Sequence, residues 1–176
     1  MRALLDACVL YPTVMREVLV GVAGAGLFAP LWSARILEEW ARAVARNIPD
    51  QSHTAKAEIA LLTARWPQAS FGSDGRDYHL PDADDNHVLA AALNGRADTL
   101  VTMNLKDFPT RIVSPLGVHS RHPDSFLVEL WHQNHAAVFG ICEDVRKRAE
   151  TLSGEDMDMR ALLKRARLPR LGKLVG

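Results

Sequence analysis

Cysteine is scarce in this chain of 176 residues, which holds only Cys8 and Cys142. No C-x-x-C pair is present, and two distant cysteines do not make the dense framework of a disulfide-stabilised fold. Cys8 lies in an apolar run near the start of the chain, so we expect a reduced core thiol. A reduced thiol in turn predicts a reducing compartment, the cytoplasm.

An excess of charge of either sign is also lacking. The 21 basic residues balance the 21 acidic ones, so the total charge speaks neither for nor against a nucleic-acid partner. The distribution is uneven, because the segment 160–176 contains no acid. Contact with phosphate groups and a plain basic surface both remain open for its six basic residues, which are Arg160, Lys164, Arg165, Arg167, Arg170 and Lys173.

A long hydrophobic run is the third absence. The 17 residues between Glu17 and Arg35 carry no charge, but three glycines and Pro30 interrupt them, and a membrane span needs about 20 mostly apolar residues. We interpret this stretch as a buried helix followed by a turn. We expect no signal peptide, because Asp6 breaks the apolar run at the start. The composition, 48% hydrophobic and 24% charged, predicts one globular domain plus an appendage.

Short apolar runs alternate with helical patterns along the first two thirds of the chain. We predict extended segments at 3–10, 69–71, 99–102 and 111–113, and helices at 13–22, 34–47, 52–66, 84–94, 125–132, 136–152 and 156–167. Strands that alternate with helices pair in parallel. The sequence therefore predicts the α/β class. A mostly parallel sheet with helices on both faces is expected in residues 1–120, followed by an α-helical C-terminal extension in residues 121–176.

Asp6 is the first candidate for chemistry. It stands in the apolar run 3–10, where an ionised carboxylate is unfavourable unless a metal ion or a strand end compensates it. Acids lead into the predicted helix at 84–94, and polar residues end the strand at 99–102. Because parallel strands end at one edge of a sheet, we expect these groups to converge, although a single acid at a helix start has a capping role more often. The residues concerned are Asp82, Asp84, Asp85, Thr102 and Asn104.

Other kinds of site fit these polar residues less well. A calcium loop needs a glycine and a glutamate where the chain has His87 and Leu93. A phosphatase of the haloacid-dehalogenase type needs a second aspartate where Cys8 stands, which leaves it a weak alternative. A zinc site lacks Cys or Glu ligands that would complete the histidines near the start of the extension, which are His119, His122, His132 and His135.

Four segments together resemble one family. They lie at 4–10, 33–40, 82–92 and 100–108 and read LLDACVL, SARILEEW, DADDNHVLAAA and LVTMNLKDF. In this order and spacing they resemble the PIN-domain nucleases and, within them, the VapC-like toxins of prokaryotic toxin–antitoxin pairs. The resemblance covers roughly residues 2–115.

The resemblance implies a three-layer α/β/α domain that acts as a metal-dependent endoribonuclease, with Mg²⁺ or Mn²⁺ held by acidic side chains. Asp6 corresponds to the first acid. Glu39 corresponds to the second acid, with Glu38 as its rival. Asp85 corresponds to the third acid, with Asp84 as its rival.

The fourth acidic position departs from the family pattern, because Asn104 stands there. Asp107, three residues later, is the candidate for the missing carboxylate. Thr102, Asn104 and Lys106 are the candidate substrate-binding residues. The other basic residues considered for contact with the RNA backbone are Arg35, Arg42, Arg46 and Arg111.

The resemblance also implies partners. These are an RNA substrate, a small cognate antitoxin protein that holds the nuclease inactive, and a second copy of the chain in a homodimer. A second function stays open because Asn104 contributes no charge to a metal site. In that reading the chain is a PIN-fold module that binds RNA or protein without cutting.

Overall fold

The structure is a computed structural model that describes residues 1–176. It contains four strands, which are β1 (Arg2–Leu5), β2 (Ala29–Leu31), β3 (Thr99–Val101) and β4 (His119–Arg121). The helices are α1 (Ala7–Leu10), α2 (Thr13–Gly24), α3 (Ala34–Asn47), α4 (Ser52–Arg65), α5 (Asn86–Asn94), α6 (Thr110–Val113), α7 (Pro123–Gln133), α8 (His135–Ser153), α9 (Met159–Arg165) and α10 (Pro169–Val175). Single 3-10 turns occupy Pro49–Gln51, Ala83–Asp85 and Ser114–Leu116. No helix combines the length and the apolar character that crossing a membrane requires.

The strands form one sheet in the order β2-β1-β3-β4, and every neighbouring pair is parallel. In the central pair, Leu4 lies opposite Leu100 and Leu5 lies opposite Val101. Parallel neighbours need crossover connections, and helical segments separate each strand from the next along the chain. The predicted α/β class, with a parallel sheet and a helical C-terminal region, is confirmed.

The direction of strand addition reverses at β1. The chain passes from β1 to β2 on one side of the sheet and later adds β3 and β4 on the other side. In open parallel sheets a crevice forms at such a reversal, beyond the carboxyl ends of the two strands concerned. Asp6 follows β1 and Thr102 follows β3, so the fold joins two residues that are 96 positions apart in the chain.

The strand predictions were wrong at the edges of the sheet. Residues 111–113 belong to α6, where the N–H of Ile112 donates to the carbonyl oxygen of Pro109. The fourth strand is β4 instead, and its sequence His-Ser-Arg offers no apolar pattern. The stretch interpreted as a helix followed by a turn contains β2. This strand has three residues and includes Pro30, which lacks an N–H and is tolerated at an outer strand.

The apolar run at the start of the chain changes structure at Asp6. Only residues 2–5 are extended, and the following four residues form α1. Asp6 begins this turn, because its carbonyl oxygen accepts the N–H groups of Val9 and Leu10. Cys8 therefore lies in a short helix and not in a buried strand as predicted. The carboxylate of Asp6 stands at a strand end, one of the two settings that the sequence predicted for it.

Helix α3 is confirmed with the predicted bounds. Ser33 caps it, and its hydroxyl oxygen accepts the N–H of Ile36 at 3.1 Å. The apolar stripe that the sequence predicts is buried, and it includes Ile36, Leu37, Trp40 and Val44. Glu39 directly precedes Trp40 and is partly buried, so α3 places a carboxylate at the border of the core.

Helix α5 is the central helix of the unit that holds the sheet. Its residues from His87 to Ala92 are all buried, and it packs against β1 and β3. The 3-10 turn at Ala83–Asp85 leads into it and is capped by Asp82, whose Oδ1 accepts the N–H of Asp84 at 2.9 Å. The packing of α5 thereby fixes an acidic turn beside two strands.

The chain divides into two compact units. One unit comprises residues 1–11 and 29–121, and the other comprises residues 12–28 and 122–176. The predicted division at residue 120 into a nuclease domain and an extension stays a prediction, although α2 groups with the helices of the second unit. There α2 approaches α8 so closely that a Cβ added at Gly21 would lie 2.6 Å from Cγ2 of Ile141.

Asp124 fixes α10 within the second unit. This residue belongs to α7 and is only 3% exposed. Its two carboxylate oxygens accept the backbone N–H groups of Arg170 and Leu171, each at 2.9 Å. The first turn of α10 has no cap of its own, so a carboxylate from a neighbouring helix satisfies its free N–H groups.

Candidate active site

Asp6 is buried at the carboxyl end of β1. Its backbone N–H donates to the carbonyl oxygen of Val101 at 3.1 Å, which continues the pairing with β3 beyond the end of β1. A buried carboxylate needs hydrogen-bond donors or a cation nearby. Thr102, directly after β3, supplies a hydrogen-bond donor.

Thr102 and Cys8 both donate to Oδ2 of Asp6. The distances are 2.7 Å from the Thr102 hydroxyl and 3.1 Å from the Cys8 thiol. In turn, the Thr102 hydroxyl oxygen accepts the N–H of Asn104 at 3.0 Å, and Sγ of Cys8 accepts the N–H of Met103 at 3.2 Å. Burial, and then the charge of Asp6, raises the pKa of the Cys8 thiol to about 12, so the thiol keeps its proton. These bonds orient the Asp6 carboxylate against the turn that follows β3.

Glu39 is held through one oxygen of its carboxylate. Oε1 lies 3.1 Å from Nε of Arg35 and 3.1 Å from Nε2 of His87. Burial lowers the pKa of His87, although the charge of Glu39 acts in the opposite direction. Nε2–H of the ring donates to Glu39, while Nδ1 is buried without a partner. A guanidinium and an imidazole therefore fix the orientation of Glu39.

Glu38, the rival for the second acidic position, lies on another side of α3. It is exposed and lines a groove between α3 and α4 together with Leu37, Lys56 and Ile59. Glu39, by contrast, is partly buried and acts electrostatically on Asp85. This placement favours Glu39 as the second acid.

Asp85 is partly buried and is subject to the negative charges of four other acidic side chains. Its pKa is raised to about 7, first by burial and then by the negative charges of Asp6, Asp82, Asp107 and Glu39. Like charges raise a carboxyl pKa in this way only when they are close to it. We refer to these five residues as the carboxylate cluster.

Asp84, the rival of Asp85, has a different setting. It is exposed, whereas Asp85 is partly buried. Its backbone carbonyl oxygen accepts a hydrogen bond from Nη2 of Arg35 at 3.5 Å. The geometry thus favours Asp85 over Asp84.

Asn104, Lys106 and Asp107 lie in the turn after β3. Asn104 and Lys106 are exposed, and Asp107 is partly buried. The N–H of Asp107 donates to the carbonyl oxygen of Asn104 at 3.0 Å. This turn brings the Asp107 carboxylate within electrostatic reach of Asp85. Its role as a replacement for the acid missing at position 104 stays a prediction.

The donor set of the carboxylate cluster suits a hard divalent cation. Carboxylate oxygens are the ligands that Mg²⁺ and Mn²⁺ prefer, and a cation would relieve the repulsion that raises the pKa of Asp85. No three His, Cys, Asp or Glu side chains form a ready-made metal site. Mg²⁺ is usually held by one or two carboxylates together with waters and substrate phosphates. The cluster fits that mode of binding and not a cage made by protein alone.

Three contributors to the site were not predicted in their roles. Cys8 was taken as a core thiol and His87 was weighed only against a calcium loop, whereas Asp82 was expected near the other acids but was assigned no role among the ligands. Each lies within a few residues of a predicted acid, and Asp82 belongs to the same acidic run. Proximity to a predicted acid in the sequence was thus the only signal for these three residues. It does not show which of the residues next to an acid faces the carboxylate cluster.

Comparison with known proteins agrees with the fold. The profile of the PIN domain family matches residues 2–106, more than half of the chain. A curated protein of Mycobacterium tuberculosis named "Putative ribonuclease VapC50" is 49% identical over 45 residues, which are 26% of this chain and 27% of that protein. The match thus spans about a quarter of the relative. No solved structure matches the chain. Since the matched residues contain β1 to β3 and all of the carboxylate cluster except Asp107, the chain belongs to the PIN domain family.

Proposed function

We propose that the protein is a metal-dependent endoribonuclease and the toxin of a toxin–antitoxin pair. The observation that carries this proposal is the buried carboxylate of Asp6 at the carboxyl ends of β1 and β3, held by the Thr102 hydroxyl and acting electrostatically on Asp85. A carboxylate whose pKa is raised by burial together with specific charged neighbours is a candidate functional group. Membership of the PIN domain family and the short match to a protein named as a ribonuclease support it.

In this proposal one or two of the carboxylates of Asp6, Glu39 and Asp85 hold Mg²⁺ or Mn²⁺ directly, together with waters and the substrate phosphate, and Asp84 remains a further candidate ligand. Thr102 holds one oxygen of Asp6 in place, and the carboxylate of Asp107 adds negative charge from the turn after β3. When bound, the cation supplies an activated water and offsets the negative charge of the scissile phosphate. No protein side chain then needs to act as the nucleophile.

Exposed polar groups after β3 are proposed to position the RNA. Lys106 offers a cation to a backbone phosphate, and the Asn104 amide offers a hydrogen-bond donor. The Thr102 hydroxyl accepts the backbone N–H of Asn104 at 3.0 Å and so fixes the start of this turn. In a substrate-binding role Asn104 needs no charge, which accounts for the departure from the family pattern.

The test is incubation of the purified protein with total cellular RNA, with and without Mn²⁺. We expect discrete metal-dependent fragments from the wild type and none from Asp6→Asn. Asparagine keeps an oxygen that accepts the Thr102 hydroxyl but removes the charge that binds a cation, so the fold should persist by circular dichroism. Asp50→Asn is the matched control, because Asp50 is an exposed acid outside the carboxylate cluster.

Two outcomes would contradict the proposal. Unchanged cleavage by Asp6→Asn would show that the site is misassigned. No cleavage by folded wild type freed of any inhibitor would favour a PIN-fold module that binds RNA or protein without cutting. Two observations favour this non-cutting alternative: Asn104 stands in place of an acid, and no ready-made metal site is present. For such a module, Mn²⁺ would also leave the melting temperature unchanged.

The proposal includes a small antitoxin that inhibits the enzyme, a homodimer, and a cytoplasmic location. The likeness to VapC-like toxins supports the partners, and the two free thiols support a reducing compartment. Co-expression with the product of a neighbouring small reading frame should give a stable complex without nuclease activity. Light scattering of the nuclease alone should give twice the mass of one chain, and a monomer would exclude the homodimer.

A further inference from the structure

Positive charge is concentrated on the last two helices. All 21 acidic residues and 15 of the 21 basic residues lie before position 159. None of the remaining six basic residues takes part in an ion pair. All six are exposed, and we call them the cationic surface: Arg160, Lys164, Arg165, Arg167, Arg170 and Lys173.

Five of the six residues of the cationic surface lie on a tightly packed pair of helices, α9 and α10, and Arg167 lies in the short link between them. A Cβ added at Gly172 of α10 would lie 3.2 Å from Cβ of Leu163 and 3.3 Å from the carbonyl oxygen of Arg160, both in α9. The buried carboxylate of Asp124 holds the start of α10. The cations are therefore displayed on a fixed scaffold and not on a loose tail, which lowers the entropy lost when they bind.

The cationic surface also lacks other means of recognition. No aromatic residue occurs in residues 159–176. Proteins that hold single-stranded bases stack them on aromatic rings, and protein interfaces have an apolar and aromatic core. Unopposed lysine and arginine side chains are instead what contact with phosphate groups requires.

We propose that the cationic surface binds RNA through the phosphate backbone, without preference for sequence. This inference rests on the proposed function, since the bound RNA is the substrate of the nuclease. The first 158 residues contain six more acids than bases, and the carboxylate cluster repels phosphate groups. Beyond the local contact proposed for Lys106, net attraction for a polyanion must therefore come from another part of the chain. Residues 159–176 provide it, because no acid opposes their positive charge.

The experiment measures binding of a fluorescein-labelled single-stranded RNA by fluorescence anisotropy. The full chain carries Asp6→Asn and the buffer contains EDTA, so neither cleavage nor a metal ion affects the readout. The variant combines Lys164→Gln, Arg165→Gln and Lys173→Gln. At about 0.1 M salt we expect this variant to bind RNA about 10- to 100-fold more weakly than the chain without these three substitutions. The slope of the logarithm of the association constant against the logarithm of the salt concentration should be less steep by about 2.

A matched triple variant controls for the loss of net charge. It combines Lys56→Gln, Arg65→Gln and Arg96→Gln, three exposed positions in the first unit. We expect nearly wild-type affinity from it, and also from Lys164→Arg combined with Lys173→Arg, which keeps the charge. Circular dichroism verifies that all variants are folded.

Three results would overturn the inference. Equal losses in the two Gln triple variants would mean that only net charge matters, and no loss in the cationic-surface variant would place RNA elsewhere. Displacement of RNA by polyglutamate at lower charge concentration than by unlabelled RNA would identify an acidic protein as the partner. Binding is measured without metal, so it is independent of cleavage. If the chain binds RNA through the cationic surface but never cuts it, the proposed nuclease activity is contradicted and the proposed RNA-binding surface is not.

Discussion

The hydroxyl of Thr102 donates a hydrogen bond of 2.7 Å to Oδ2 of Asp6, and Thr102 is fully buried. This bond joins the ends of two neighbouring parallel strands. The Cys8 thiol donates to the same oxygen, so both hydrogen bonds from these side chains go to Oδ2 of Asp6. The orientation of the Asp6 carboxylate, a proposed metal ligand, thus depends on Thr102, which carries no charge.

Replacement of Thr102 by valine tests this dependence. Thr102→Val keeps the shape but removes both the donor to Asp6 and the acceptor of the Asn104 N–H. We expect a loss of about 10- to 100-fold in metal-dependent cleavage and of about 1–3 kcal/mol in the free energy of unfolding. Cleavage assays and urea unfolding measure the two effects. Thr102→Ser keeps the hydroxyl and should restore most activity; equal activity of the Val and Ser variants would contradict the role.

The two adjacent glutamates of α3 provide a matched pair. Glu39→Gln removes a charge from the carboxylate cluster, whereas Glu38→Gln removes one from the groove beside α4. We expect the first to lower metal-dependent cleavage by at least about 100-fold and the second to leave it unchanged. The comparison is made at saturating Mn²⁺ and again in a metal titration. A larger loss in Glu38→Gln would reverse the assignment.

The buried carboxylate of Asp124 should be a large contributor to stability. Asp124→Ala leaves the N–H groups of Arg170 and Leu171 without acceptors, so we expect unfolding to be easier by about 2–4 kcal/mol. Asp124→Asn keeps one acceptor oxygen and should lose less. Urea denaturation followed by circular dichroism gives both values. Asp144→Ala, at an exposed site on α8, should stay within about 0.5 kcal/mol of wild type.

Stability should fall at alkaline pH in part through Cys142. Burial raises the pKa of this thiol from 9.0 to about 12. Between these values the unfolded chain loses a proton that the folded chain keeps, so stability decreases as pH rises, by at most about 1.4 kcal/mol per pH unit for one thiol. Denaturation at a series of pH values compares the slopes of wild type and Cys142→Ala. Identical slopes would show that the thiol is not protected by folding.

The features predicted correctly from the sequence are those with a long local pattern. Helix α3 has a Ser33 cap and an apolar stripe from Ile36 to Val44, so its bounds follow from the sequence. The outer strands do not have such a pattern. β2 and β4 contain three residues each, and their extended form comes from pairing with β1 and β3 and not from local preference.

The acidic residues of the site could be predicted from the sequence, but the side chains that hydrogen-bond to them could not. A carboxylate in an apolar run identifies Asp6, because burying it alone is unfavourable. The contact of His87 with Glu39 depends instead on how α5 packs relative to α3, which the sequence does not state. The same holds for Cys8, since its donation to Asp6 requires the helical turn that replaced the predicted strand.

The parallel pairing of β1 and β3 sets the order of events during translation. Asp6 is made before its partner Thr102, which follows 96 residues later. At a synthesis rate of about 5–20 residues per second, this delay is about 5–20 seconds. No local hairpin shortens it, because the two strands are joined through a long crossover. For a protein proposed to cut RNA, the Asp6 end of the site therefore stays incomplete on the ribosome until the residues of β3 and Thr102 have been added.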